Sequence, residues 1–394
     1  MEMMSMTSGV TAVILAAGEG RRLAPLTNTR PKPMLPVANR PILEYVIDAV
    51  VEAGIEHVVL VVGYKQERIR NHFQDGDTWG IDIDYVEQRT QLGTGHAVLQ
   101  TQDVIEGPFI VLNGDRIVDA SIVQAVVDAM HSEDGPVVSI TSVEHPSTFG
   151  VVELRGDRIM SIEEKPLDPA PTALINAGVY GFDPTIFEHI QTTETVDGEL
   201  SLPETLDDIA QDHPLRSVHY DGTWLDVTNL WDLPIVNAIQ LHRERPRVDS
   251  EDDDPAGRDD DTVLGRNVHI DPSASIRGGV SVGDNAVIGA NVVLEDTVIL
   301  PDAQVDAGSV IRHAVIGANA SVGANTTIQG GAATIIVEGN VYNEVKLGGV
   351  IGDNSHIGGA TVFNPGAIVG DDASVEPGVV LNGWFESGAI VRRG

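Results

Sequence analysis

The sequence predicts an α/β domain followed by a parallel β-helix, and three observations support this. In residues 11–245, apolar runs of strand length alternate with amphipathic helical segments, which predicts an α/β domain with a mixed, mostly parallel sheet. A very acidic stretch follows, and beyond it aliphatic residues recur at every sixth position. This change of period predicts two domains of different architecture.

Five apolar, β-branched runs are the predicted central strands of the first domain. They are residues 13–16, 58–62, 83–86, 109–112 and 137–140. The first run leads into a loop rich in Gly, Pro and Arg that extends to Asn39. Because a loop this long and polar is usually functional, we expect a site there.

The six-residue repeat predicts the second domain. It extends from Ile270 to Ile328 with one-residue slips before Ile299 and Ile316 and, after an irregular stretch, returns from Val345 to Leu381. Short strands that each end in a tight turn stack into a parallel β-helix with inward aliphatic ladders, and about 130 residues predict roughly seven three-sided coils. The repeat resembles the left-handed β-helix of hexapeptide-repeat proteins, which implies a trimer with acyl-CoA sites between neighbouring helices.

The predicted boundaries follow from these patterns and from the acidic stretch. We expect a disordered N-terminus at 1–9, the first domain at 10–246, a solvated acidic linker at 247–262 and the β-helix at 263–394. The linker has no apolar periodicity and includes Pro255 and Gly257, as solvated connections do.

Composition excludes several classes of function. The 394 residues carry 59 Asp and Glu against 24 Lys and Arg, a net charge of -35, which argues against nucleic-acid or anionic-membrane partners. No apolar run approaches the roughly 18 residues of a membrane span, and no secretory leader is recognisable, so we expect a soluble cytoplasmic protein. Without cysteine there is no thiol nucleophile and no cysteine-ligated metal site.

The charge balance also predicts a requirement for salt. Only four of the basic residues are lysines, a composition typical of adaptation to high salt. At molar salt the Debye length is about 3 Å, so repulsion among the carboxylates is screened. We expect the chain to unfold on transfer to dilute buffer. A thermal unfolding curve that is the same in dilute buffer and in molar salt would contradict this.

The strongest functional motif is the segment LAAGEGRRL at 15–23, followed by Arg30-Pro31-Lys32-Pro33. A strand that ends in a glycine loop can direct backbone N–H groups at phosphates, with Arg22 and Lys32 as charge partners. The third glycine of a dinucleotide fingerprint and the Gly-Lys-Ser/Thr of a P-loop are both missing. With the appended Lys32 motif, the segment resembles the sugar-1-phosphate nucleotidylyltransferases.

This resemblance implies a Rossmann-like nucleotidyltransferase domain that joins a nucleoside triphosphate to a sugar-1-phosphate and releases pyrophosphate. The catalytic residues implied are Arg22, Lys32 and Asp115. The implied nucleotide-binding residues are Leu15, Ala16, Ala17, Gly18, Gly20, Gln88, Gly93 and Thr94. The form Gly-Thr-Gly-His-Ala favours UTP, with dTTP as the alternative.

The resemblance also implies a magnesium site and an acceptor site. Asp115 follows a buried strand and would hold Mg²⁺, with Asp226 as the second carboxylate, although Val227-Thr228 departs from the family's usual Asp-x-Gly. Gly150, Glu163, Lys165 and Asn176 would bind the sugar phosphate, either glucose-1-phosphate or N-acetylglucosamine-1-phosphate. Adjacent strand residues point in opposite directions, and of Glu163 and Glu164 we favour Glu163.

The second half resembles archaeal bifunctional enzymes that join nucleotidylyl- and acetyltransferase domains, and the composition favours a haloarchaeal source. Acetyl transfer from acetyl-CoA to glucosamine-1-phosphate needs a general base, yet Ala307 stands where the family has its His, and His313 is displaced. Three alternatives stay open for the β-helix: acetyl transfer, a structural or oligomerising role, and membership of a noncatalytic regulatory subunit. Mannose-1-phosphate relatives that use GTP are disfavoured by Gln88.

Overall fold

A computed structural model describes residues 9–132, 135–144, 146–166, 168–213, 215–244 and 261–393. Most of the predicted N-terminal segment (1–8) and of the predicted acidic linker (247–260) lies outside the described residues. Within the described ranges, no helix is both long and apolar enough to cross a membrane.

The chain forms two compact units whose limits differ from the predicted domain boundaries. Unit 1 comprises residues 1–19, 31–34 and 42–225, and unit 2 comprises 20–30, 35–41 and 226–394. Part of the predicted phosphate loop and the helix before the linker therefore belong to the same unit as the repeat.

In its described residues, unit 1 contains six α-helices and most of the strands of the first half. The helices are α1 (Ile42–Glu52), α2 (Gln66–Phe73), α3 (Thr94–Leu99), α4 (Ala120–Ser132), α5 (Ile186–Thr192) and α6 (Leu202–Asp212). The strands are β1 (Thr11–Ala16), β4 (His57–Val62), β5 (Asp82–Glu87), β6 (Phe109–Asn113), β7 (Arg116–Val118), β8 (Val137–Glu144), β9 (Gly150–Arg155), β10 (Arg158–Glu164), β11 (Thr172–Phe182) and β12 (Leu215–His219), while β13 (Trp224–Asp226) ends in unit 2.

Nine of these strands form one sheet in the order β5-β4-β1-β6-β11-β8-β12-β10-β9. The pairs from β5 to β6 are parallel, as predicted. Beyond β6 the expectation of a mostly parallel sheet is wrong, because β11 is antiparallel to both β6 and β8, and β10 is antiparallel to β9 and β12. A hairpin such as β9–β10 needs only a short turn, whereas parallel neighbours need a crossover.

Both faces of the central strands β1, β4 and β6 are covered, which explains why these strands are continuous apolar runs. Along β1, Ala12 and Ile14 face a core that includes residues of α1 and α4. Val13 faces the opposite core, with residues of α3, α5 and α6. Burial on both faces holds the carboxyl ends of β1, β4 and β6 at one edge.

Unit 2 contains β2 (Pro36–Val37), β3 (Arg40–Pro41), α7 (Asp232–Glu244) and the repeat. The repeat forms three parallel sheets, which we name F, G and E. Sheet F contains β14 (Thr262–Leu264), β17 (Val280–Val282), β20 (Val298–Ile299), β23 (Ala314–Ile316), β28 (Gly349–Ile351), β31 (Ala367–Val369) and β34 (Trp384–Phe385). Sheet G contains β15 (His269–Ile270), β18 (Val287–Ile288), β21 (Gln304–Val305), β24 (Ser321–Val322), β29 (His356–Ile357), β32 (Ser374–Val375) and β35 (Ile390–Val391). Sheet E contains β16 (Ser275–Arg277), β19 (Val293–Glu295), β22 (Val310–Arg312), β25 (Thr327–Ile328), β30 (Val362–Phe363) and β33 (Val380–Leu381).

Successive strands along the chain fall in F, G and E in turn, as in a parallel β-helix, and the repeat aliphatics pack inward as one core. Ile276, Leu294, Ile311 and Ile328 stack in this way through the pairing of β16, β19, β22 and β25. The irregular stretch of the sequence is an antiparallel hairpin of β26 (Ala332–Val337) and β27 (Asn340–Lys346). The handedness of the coil stays a prediction.

Candidate active site

The carboxyl ends of β1 and β6 lie side by side and bring two predicted motifs together. Leu15 is in register with Asn113, and the backbone N–H of Gly114 donates to the carbonyl oxygen of Leu15 at 2.9 Å. The predicted nucleotide-binding residues 15–18 and the predicted metal ligand Asp115 therefore share one edge of the sheet. Ligands bind at this edge in open α/β folds.

Lys32 and Asp115, two of the predicted catalytic residues, form an ion pair. Lys32 Nζ lies 2.7 Å from Asp115 Oδ2, and the side chains are 13% and 31% exposed. A charge-assisted contact this short fixes the ammonium at the carboxyl end of β6. A cation and a carboxylate are thus held together at the strand edge that carries the glycine motif.

Gln88, the predicted base-binding residue, is buried at 3% exposure. Its Nε2 donates to the carbonyl oxygen of Gly93 at 3.1 Å and lies 3.0 Å from Nδ1 of His96. Burial lowers the pKa of His96, which favours the neutral ring whose Nδ1 accepts this bond. The structure therefore fixes the Gln88 amide against the Gly-Thr-Gly-His segment.

Gly93 and Thr94 pack against the segment that precedes α6. Gly93 has a φ of +97°, and a methyl group on it would lie 2.5 Å from the carbonyl oxygen of Leu200. Thr94 Oγ1 accepts a hydrogen bond from the backbone N–H of Leu202 at 3.0 Å. Thr94 thus anchors the start of α6, and glycine is required at 93 by both conformation and space.

On the acceptor side, the structure places Glu164 beside Gly150, where the sequence favoured Glu163. Gly150 is directly opposite Glu164 in the β9–β10 pair, and a methyl group on Gly150 would lie 2.9 Å from Glu164 Oε2. Glu163 is opposite Val151 and therefore points to the other face. Lys165 Nζ lies 3.5 Å from Glu164 Oε1.

Asn176 lies next to Gly150 across β9 and β11, and its side chain is engaged inside the protein. Its Nδ2 donates to the hydroxyl of Tyr180 at 2.7 Å, and its Oδ1 accepts from the backbone N–H of Gly178 at 3.0 Å. Complete burial is the main cause that raises the pKa of Tyr180 to about 12. Tyr180 therefore stays a neutral donor and acceptor that orients the Asn176 amide.

Arg116 is a residue of this region that the sequence reasoning missed. Its guanidinium lies 5.1 Å from the ring centre of Trp224 and 5.7 Å from that of Phe149, and its Nη1 donates to the carbonyl oxygen of Asn176 at 3.4 Å. The available signal was its position directly after Asp115 in a chain with few cations.

Three predicted site residues belong to unit 2. Gly20 adopts a φ of +69° at the start of a short 3-10 turn, and its carbonyl oxygen accepts from Thr27 Oγ1 at 2.9 Å. Arg22 Nε donates to Glu338 Oε2 at 2.8 Å.

The third of these residues, Asp226, lies beside a second carboxyl group. Its Oδ2 accepts from Thr228 Oγ1 at 2.5 Å. Burial is the main cause that raises the pKa of the nearby Asp232 to about 6, and the charge of Asp226 adds to it.

The donor chemistry at Asp115 fits Mg²⁺, the metal that the family resemblance implies. Mg²⁺ prefers oxygen ligands and is usually held by one or two carboxylates together with substrate phosphates. Asp115 offers such a carboxylate, partly exposed at the sheet edge. Among the described residues, Asp115 belongs to no cluster of three metal-ligating side chains.

His313 lies in a cluster of charged side chains in the repeat of unit 2. Its Nδ1 is 3.2 Å from Asp296 Oδ2, and Lys346 Nζ is 3.8 Å from the same oxygen. Glu295 completes the group and pairs with Arg312 at 3.1 Å. Both carboxylates therefore have cationic partners. Nothing in this cluster tests acetyl transfer, which stays a prediction.

Comparison with known proteins identifies the family. The nucleotidyl transferase family model matches residues 11–241, which is more than half of the chain. The chain belongs to the nucleotidyl transferase family. A second model, the GMPPB C-terminal domain, matches residues 259–385. The Rossmann-like nucleotidyltransferase domain that the sequence predicted is therefore confirmed.

Two proteins with different names are among those similar to this chain. The bifunctional protein GlmU of Methanococcus maripaludis is 37% identical over 68% of this chain and 61% of its own length. The chain thus matches less than two thirds of that relative. Glucose-1-phosphate thymidylyltransferase of Streptomyces griseus is 33% identical over 70% of this chain and 77% of its own length.

A solved structure of UDP-glucose pyrophosphorylase in complex with UDP-glucose shares the fold. It has a TM-score of 0.54, is 24% identical, and covers 60% of this chain and 99% of its own. Identity this low supports the fold alone.

Proposed function

We propose that this chain is a sugar-1-phosphate nucleotidylyltransferase that converts UTP and glucose-1-phosphate or N-acetylglucosamine-1-phosphate to a nucleotide sugar and pyrophosphate. The Lys32–Asp115 ion pair at 2.7 Å carries this proposal. Two residues 83 positions apart in the sequence, each expected at the triphosphate, meet at the edge that also holds the 15–18 segment. The name of the Streptomyces relative, a glucose-1-phosphate thymidylyltransferase, supports the same reaction class.

In the proposed reaction an oxygen of the sugar phosphate attacks the α-phosphorus of UTP in line. The bond from the α-phosphorus to the bridging oxygen of the β-phosphate breaks, and pyrophosphate leaves with that electron pair. No protein nucleophile is needed, so the protein contributes position and charge. Lys32, Arg22 and the backbone amides of the 15–18 segment and Gly20 stabilise the negative charge that develops on the phosphate oxygens.

Asp115, with Asp226 as the second ligand predicted by resemblance, would hold Mg²⁺. When bound there, the metal supplies positive charge to the triphosphate oxygens. Gln88 is held against Gly93 and His96, which supports its proposed role at the pyrimidine edge. On the acceptor side we propose Glu164 in place of Glu163, with Lys165 at the sugar phosphate and Asn176 at the sugar.

The direct test is a screen for pyrophosphate release at molar salt with Mg²⁺, over UTP, dTTP and GTP against several sugar-1-phosphates. We expect the fastest release with UTP and glucose-1-phosphate or N-acetylglucosamine-1-phosphate. A well-folded protein that releases no pyrophosphate with any pair would contradict the proposed function and favour the noncatalytic subunit.

The placement of Glu164 leads to a prediction on sugar binding. Replacing it with glutamine removes a carboxylate that faces Gly150, so Glu164→Gln is expected to raise the KM for the sugar-1-phosphate at least tenfold and leave the KM for UTP within about twofold. Glu163→Gln is the matched control, since it changes the neighbouring charge on the other face. If steady-state kinetics showed the larger rise in this KM for Glu163→Gln, Glu163 would be the sugar-binding residue, as the sequence analysis favoured.

A further inference from the structure

The strands of sheet F are each followed, two residues after the strand ends, by a corner residue, and these corner residues stack from coil to coil. They are Arg266, Asp284, Pro301, Ala318, Asp353, Asp371 and Ser387. Where this residue is aspartate, its Oδ1 accepts from the backbone N–H of the preceding corner. The distances are 2.8 Å for Arg266 to Asp284, 2.8 Å for Ala318 to Asp353 and 2.7 Å for Asp353 to Asp371. One carboxylate oxygen therefore serves the stacking of the coils.

The second oxygen of two of these aspartates binds three consecutive residues of the glycine loop, which we call segment 28–30. Asp353 Oδ2 accepts from Thr29 Oγ1 and from Arg30 Nη2, both at 2.5 Å. Asp371 Oδ2 accepts from Asn28 Nδ2 at 2.8 Å. All of these residues belong to unit 2. At Asp284 the same oxygen instead pairs with Arg266 of the β-helix, at 2.6 Å.

Burial of both aspartates and of Arg30 distinguishes these contacts from ordinary surface bonds. Arg30, Asp353 and Asp371 are 8%, 4% and 5% exposed. Buried carboxylates are costly unless paired and hydrogen-bonded, and the coil stack uses only one oxygen of each. By contrast, the Arg22–Glu338 pair has side chains 32% and 45% exposed, and exposed pairs contribute little.

We propose that Asp353 and Asp371 are positioning residues for nucleotidyl transfer. They hold segment 28–30, which lies between Arg22 and Lys32 in the sequence, and so fix the path of the loop that carries the phosphate-binding cations. The β-helix then serves the transfer reaction through this segment, whether or not it has an activity of its own. This inference rests on the proposed function.

The test is a reciprocal exchange at Asn28 and Asp371. Asn28 is exposed, so Asn28→Asp is compatible with folding but places a second carboxylate against Asp371. We expect kcat for pyrophosphate release to fall at least fivefold, with both KM values within about threefold. The double variant Asn28→Asp, Asp371→Asn restores one donor and one acceptor, and kcat should return to within about twofold of wild type.

Asp353→Asn and Asp284→Asn form the matched comparison, because both keep an oxygen for the backbone bond of the corner. We expect at least a tenfold lower kcat for Asp353→Asn and less than a twofold change for Asp284→Asn. Equal losses in the two variants, wild-type kcat in Asn28→Asp, or no recovery in the exchanged pair would each overturn the proposal. An inactive wild-type protein would instead contradict the proposed function.

Discussion

Replacing Asp115 with asparagine is expected to lower kcat at least a hundredfold. The amide can still accept a hydrogen bond from Lys32, so the contact of 2.7 Å is weakened rather than lost. The amide carries no charge, however, and is a much poorer ligand for Mg²⁺ than a carboxylate. The measurement is the rate of pyrophosphate release as a function of magnesium concentration.

The control for Asp115 is Asp84→Asn, which removes a carboxylate that is 67% exposed and lies 3.1 Å from His57. We expect this variant to keep wild-type activity and the same magnesium dependence. If Asp115→Asn retained full magnesium-dependent turnover, this would contradict the proposed role of Asp115 as a metal ligand.

Replacing Lys32 with alanine is expected to lower kcat at least tenfold while the fold stays intact. In the proposed reaction, Lys32 supplies positive charge where the phosphate oxygens gain negative charge, and removing a single such group commonly lowers the rate about a hundredfold or more. Asp115 is partly exposed, so water can solvate its carboxylate once the ammonium is gone. Turnover and the thermal unfolding curve should be measured on the same preparation.

Lys65→Ala is the matched control for Lys32, since Lys65 is another of the four lysines and contacts the ring of Tyr64. We expect its turnover to match that of the wild type. Near-normal turnover of Lys32→Ala, or an equal loss of turnover in both variants, would contradict the proposed catalytic role of Lys32.

The elements that the sequence predicted best are those with a strong apolar pattern. The run at 13–16 is part of a strand buried on both faces, and the six-residue ladder forms the core of unit 2. The direction of a strand is harder to predict from the sequence, because the antiparallel course of β11 depends on its connections rather than on its composition. The extra hairpin at residues 332–346 was visible only as an interruption of the repeat.

At the candidate site, the sequence nominates residues but does not predict how they pair. Alternation along β10 predicts that only one of Glu163 and Glu164 lies on the same face as Gly150, but not which one, since this depends on the strand pairing. The contact of Lys32 with Asp115 joins distant segments, as do the contacts of segment 28–30 with Asp353. Contacts of this kind arise from the folded topology and leave no local signal in the sequence.

The proposed reaction cleaves UTP between its α- and β-phosphorus, with a sugar phosphate as the attacking group. The most direct measurement follows two preparations of UTP, radiolabelled at the α- or at the γ-phosphorus, in reactions with the preferred sugar-1-phosphate. We predict that the α-label appears in the nucleotide sugar and the γ-label in pyrophosphate, in equal amounts. Transfer of the γ-label to the sugar, or release of both labels without a nucleotide sugar, would contradict the account.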